Sequence, residues 1–134
     1  MHDHELAMLT YVQLADIAQQ KRQLLGRNKF LLLAGMAACR AGWPDVAEKC
    51  RELVLTDNRA HLIGNYASIA DALRDPDFLC FEQQLQRFCP YEKAEHLLQQ
   101  LGIEPGLPPN YRDVDSGTYL LELLSRPHWA ENSK

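Results

Sequence analysis

The chain has 134 residues, a length that suits one domain, and a domain of that size buries roughly 68% of the surface exposed by its unfolded chain. Its net charge of −4 and pI near 5.7 argue against a nucleic-acid binder, which carries a basic patch or a high pI. The longest apolar run is far shorter than the ~20 residues of a bilayer span, so neither a membrane nor nucleic acid is an expected partner.

Residues 5 to 25 place Ala7, Tyr11, Leu14, Ala18 and Leu25 at helical spacing, with Leu6 and Ile17 alongside. Gln13, Asp16, Gln20 and Lys21 interleave, which predicts an amphipathic helix with one buried face, opened by Asp3 or His4. Gly26-Arg27-Asn28 reads as a soft break. From Phe30 to Ala41 the only charged residue is Arg40. A helix apolar nearly all the way round belongs in the middle of a structure. This stretch therefore predicts the central helix, stopped at Gly42.

Pro44 suits the first turn of the next helix. Val46, Ala47, Cys50, Leu53 and Val54 form its apolar side, and Asp57-Asn58 closes it. So short a connection makes the two helices antiparallel neighbours. Each large side chain buried between them contributes on the order of 1.5–3 kcal/mol. Residues 59 to 74 fit either one helix, through Leu62, Tyr66, Ile69 and Leu73, or two pieces. The two-piece reading has a short helix at 59–63 and a second at 69–74, because Gly64-Asn65 is a turn dipeptide and Ser68 with Asp71 resembles a capping box.

Asp75-Pro76 is an N-cap and first-turn pair. The helix it opens carries Phe78, Phe81, Leu85 and Phe88 on one face, with Leu79 beside them. Cys89-Pro90 ends it and opens another with Tyr91, Ala94, Leu97, Leu98 and Leu101, stopped at Gly102. Residues 104 to 110, rich in proline, predict an extended connector, partly polyproline-like. Asp115-Ser116 caps a last short helix through Tyr119, Leu120, Leu123 and Leu124, and Pro127 ends it. Residues 1–102 thus form a helical domain, with 103–134 an arm packed on the same body. From His128 the chain is expected to fray unless Trp129 docks.

A shift of 32 residues lays Ala38 on Ala70, Pro44 on Pro76, Asp45 on Asp77 and Leu53 on Leu85, a period suited to stacked hairpins. The first unit, residues 27–59, resembles a tetratricopeptide repeat: Gly35, Ala38, Gly42, Ala47 and Val54 fall where that family favours small or apolar residues. Arg51, Arg59 and Leu31 depart from its pattern. The resemblance implies a groove lined by Lys29, Leu32, Met36, Cys39 and Arg40, and a protein partner. It does not imply a carboxylate clamp, because Leu32 and Met36 stand where that clamp needs Lys and Asn.

Signs of chemistry are sparse. The cysteines Cys39, Cys50, Cys80 and Cys89 form no CxxC pair, each falls on or beside an apolar stripe, and together they read as free buried thiols acting as small hydrophobes in a reducing compartment. The polar, acidic start His2-Asp3-His4-Glu5 is no secretory signal, so the cytoplasm is expected, and it makes no functional metal site. Glu92 and His96 share a helical face without a second copy of the motif. Lys21-Arg22 and Arg27-Lys29 could touch an acidic partner, and Tyr111-Arg112 sits on the least bland loop.

The expected fold is all-α, built of antiparallel helical hairpins as a short repeat-like stack with an extended C-terminal arm. The expected function is a non-catalytic protein–protein interaction or assembly module, acting on a protein or on itself. Its candidate contact residues are Lys29, Met36, Arg40, Tyr111 and Arg112, with no cofactor or metal. The competing reading is a small enzyme or ligand-binding protein whose inter-helix pocket would use Glu92, His96 or a cysteine.

Overall fold

The computed structural model describes residues 3–111 and 113–130. It is all-helical, with α1 His4–Gln20, α2 Leu24–Ala41, α3 Pro44–Asp57, α4 Ile69–Ala72, α5 Pro76–Phe88, α6 Tyr91–Gln100 and α7 Ser116–Leu124. Three 3-10 turns join them, at Leu62–Asn65, Pro109–Tyr111 and Pro127–Ala130.

The apolar stretch at residues 30–41 sits where its composition requires. Helix α2 packs most extensively on α1, then on α3, and also touches α4 and α5. Leu31 to Ala38 are all buried. The rest is arranged around it: α6 lies on α1, and α7 reaches both α3 and α1. No helix among the described residues is long and apolar enough to cross a membrane.

The first junction differs from the sequence expectation. Helix α1 stops at Gln20, and the reversal falls on residues 21–23, with Arg22 in the left-handed region at φ 60°. Gly26-Arg27-Asn28 is therefore not a break but part of the first turns of α2. Leu25, expected on the buried face of the first helix, is instead 81% exposed. The reason lies in Arg27, which is 0% exposed: its inward turn sets the rotation of α2 and points its neighbour outward.

The other boundaries follow local signals. Asp3 Oδ1 accepts from the Leu6 N–H at 3.0 Å, capping α1. Gly42 ends α2 at φ 87°, and Pro44 opens α3. Residues 59–74 divide into two pieces. The first lies at Leu62–Asn65, so Gly64 and Asn65 belong to the 3-10 turn itself. Ser68 Oγ then accepts from the Asp71 N–H at 3.1 Å and caps the one-turn α4. Asp75 Oδ1 caps α5 through the Asp77 N–H at 3.0 Å. Asp115 stands at the N-cap of α7 but makes no side-chain cap bond.

The proline-rich arm is not wholly extended, because Pro109–Tyr111 tighten into a 3-10 turn. Gln13 fixes it to α1: Nε2 donates to the Glu104 carbonyl at 3.1 Å, and Oε1 accepts from the Gly106 N–H at 3.0 Å. Beyond α7 the chain does not fray at His128. Trp129 is buried, and its Nε1–H donates to the Leu123 carbonyl at 2.9 Å. Cys50 and Cys89 are buried as expected of small hydrophobes, whereas Cys80 is exposed on the outer side of α5.

Two glycines give opposite expectations. A Cβ on Gly117 would overlap the Trp43 ring, which seals α7 against the α2–α3 connection. Nothing lies within 4 Å of a Cβ on Gly26. Gly117→Ala should destabilise by about 1–3 kcal/mol, the usual cost of overpacking. Gly26→Ala should stabilise by roughly 0.5–1 kcal/mol, as alanine does for glycine within a helix. Urea unfolding midpoints of the two variants test both signs.

Candidate functional site: a hollow between α1, the arm and α7

One turn-by-turn stripe of α1 presents Gln13, Asp16, Ile17 and Gln20, at the i, i+3, i+4 and i+7 spacing of a single helix face. Opposite stand Tyr119 and Leu123, four apart on α7, and Ile103 from the arm. Together they enclose a hollow of about 250 Å³. Ile17, Ile103 and Leu123 supply apolar walls, while Asp16, Gln20 and Tyr119 add polar groups.

The C-terminal turn completes the rim. His128 Nε2 lies 2.6 Å from Asp16 Oδ1, and Gln19 Nε2 donates to the His128 carbonyl at 2.9 Å. Tyr111 closes in behind, its ring centroid 4.7 Å from that of Tyr119. Burial pushes the Tyr119 phenol above its ordinary pKa, so it stays a neutral O–H at physiological pH. No described residue bonds to Asp16 Oδ2, the Gln20 carboxamide or the Tyr119 hydroxyl.

Among the described residues the lining holds a carboxylate, a phenol and two carboxamides, and no hydroxyl or thiol nucleophile of the serine or cysteine kind. Such a set can bind by charge and hydrogen bond. Among the described residues no group of three His, Cys, Asp or Glu side chains could hold a metal ion. Three of the thiols are unsuited to attack, because burial raises the pKa of Cys39, of Cys89, and of Cys50 to about 12.

The residues singled out from the sequence are dispersed. Met36 is 1% exposed in the core, as is Leu32, so a partner cannot reach either side chain. Arg40 forms a two-pronged pair with Glu82 of α5, with Nη2 to Oε1 at 3.0 Å. Lys29 is exposed and places Nζ 4.6 Å from the Phe88 ring centroid, also on α5. The side of α2 that the repeat resemblance assigns to a peptide thus meets the chain's own fifth helix. Tyr111 packs behind Tyr119 without lining the hollow, and Arg112 lies outside the described residues. Glu92 and His96 are exposed on α6, away from the hollow's lining.

Sequence reasoning missed the hollow because Gln13, Asp16 and Gln20 look like an ordinary solvated stripe. Their partners lie about a hundred positions away: Asp16 and His128 are separated by 112 residues. Compared with protein-family models, curated proteins and solved structures, the chain matches none.

One histidine outside the hollow carries a pH dependence. His61 Nδ1 accepts from the Ile63 N–H at 3.0 Å, capping the 3-10 turn, and its ring stands edge-on to Phe81 at 5.7 Å. Burial lowers its pKa, so the folded state holds it neutral. The unfolded chain takes up the proton first, near the ordinary value of about 6.5. The contribution is complete above that pH and is lost as the pH falls below it. Unfolding free energy should decrease from about pH 7 to about pH 5.5. In His61→Asn, whose carboxamide can cap without titrating, this decrease should be smaller; equal slopes would remove His61 from the account.

Proposed function

We propose that this chain is a non-catalytic protein–protein interaction or assembly module that engages its partner at the hollow between α1 and α7. The observation that carries this reading is a polar set without described hydrogen-bond partners on an apolar wall, Asp16 Oδ2, Gln20 and Tyr119 beside Ile17, Ile103 and Leu123. At this hollow, size favours it over a small ligand: about 250 Å³ lies below the ~300–1,000 Å³ of typical ligand pockets, and the roomier recess of about 480 Å³ at Glu52, Leu55, Thr56 and Arg59 lies elsewhere, on α3 and the segment after it. The hollow matches one or two side chains from another surface.

The α2–α3 hairpin supports the tetratricopeptide-like part of the reading. Gly35 faces α3 at ordinary contact distance, a Cβ there lying 3.5 Å from Cys50 Cβ and 3.7 Å from the Ala47 carbonyl, while the atom that would crowd it is Ile69 Cδ1 of α4. Helix α4, a single turn, limits the likeness to this one unit. Four free thiols support placement in the cytoplasm, a reducing compartment.

Photo-crosslinking tests the proposal. The cross-linker p-benzoylphenylalanine placed at Gln20, in cells of the source organism, should give one discrete adduct, heavier by a partner or by a second copy. The same group at Glu92, exposed on α6, should give none. No adduct from position 20, with a monomer in light scattering at every concentration, would contradict the proposal.

A further inference from the structure

We infer that the hollow takes a basic side chain, an arginine presented by the partner protein; this rests on the interaction reading above. Among the described lining residues Asp16 alone carries a formal charge; its Oδ1 is held by His128 and Oδ2 has no described hydrogen-bond partner, while the Arg126 guanidinium stands near Tyr119 and Tyr111. The Gln20 carboxamide oxygen and the Tyr119 hydroxyl oxygen add two more open acceptors. A guanidinium suits this set because it carries five N–H donors and no acceptor. The apolar walls suit its methylene stem, which lies along apolar surface while the charged head reaches polar groups. An acidic side chain would meet Asp16 unfavourably, and an uncharged apolar one would leave all three polar groups without partners. The chain's net charge of −4 favours the approach of a basic surface.

The probes are N-acetyl-arginine amide and its neutral isostere N-acetyl-citrulline amide, titrated into the full chain and followed by NMR. The arginine probe should shift the Gln20 side-chain amide and the Tyr119 ring signals saturably. The citrulline probe should bind about tenfold more weakly, the factor expected when a hydrogen-bonded pair loses one charge. Asp16→Asn, with its helical signal unchanged, should weaken arginine binding by a similar factor. No saturable shift, equal binding of the two probes, or unaltered binding by a folded Asp16→Asn would each overturn the inference. If Asp16→Asn does not fold, the two-probe comparison on the wild-type chain decides alone. A position-20 adduct without arginine preference would leave the interaction reading standing and remove only the basic side chain.

Discussion

A guanidinium withdrawn from water holds this fold together at one end. Arg27 Nη1 donates to Gln19 Oε1 of α1 at 2.8 Å, and Nη2 donates to the Leu53 carbonyl of α3 at 2.9 Å. Nε and Nη2 both reach Asn28 Oδ1, at 3.1 and 2.7 Å, and a longer contact of 3.4 Å runs from Nη1 to the Trp129 carbonyl. Asn28 in turn donates to Asp57 Oδ2 at 2.8 Å, which brings a carboxylate into the network. Burial lowers the Arg27 pKa and Asp57 opposes that shift. An arginine starts so far above neutrality that it stays charged. Removing such a group from water costs several kcal/mol, offset only when nearly every donor finds an acceptor. That requirement ties three helices and the C-terminal turn to one geometry.

The surface chemistry descends from this constraint. With Gln19 holding the His128 carbonyl and Arg27 beside the Trp129 carbonyl, the last turn lies back over α1. The His128 ring is thereby set on Asp16, which occupies one carboxylate oxygen and leaves the other facing the hollow. Gln13 performs the matching task at the other end of the stripe by fixing the arm. An apolar core placed by α2 and a recess placed by two polar anchors are therefore parts of one arrangement.

Most of the helices were legible in the residues because their ends carry local chemistry. Asp75-Pro76, Gly42 with Pro44, and Ser68 with Asp71 each act within a few positions, so the ends they mark fall where expected, although α4 stops at Ala72 and not at 74. The greasy run from Phe30 was legible as central for the same kind of reason. Where the reading failed, the cause was distant. Gly26-Arg27-Asn28 looks like a break until Gln19, Leu53 and Asp57 supply acceptors for buried donors. Met36 and Arg40 sit at positions where a repeat would offer a groove, but Met36 is buried in the core and Arg40 pairs with Glu82 of α5, and nothing in the sequence of α2 announces either. The hollow joins α1 to a segment a hundred residues on, a pairing that helical periodicity does not encode.

Hydrogen exchange at the Trp129 indole tests the central role of Arg27 most directly, because that N–H is bonded to the Leu123 carbonyl only while the C-terminal turn is docked. In Arg27→Met the indole proton should exchange far faster than in the wild type, while backbone amides in the middle of α2 keep most of their protection. An indole as well protected in Arg27→Met as in the wild-type chain would contradict the claim that the buried guanidinium holds the turn in place.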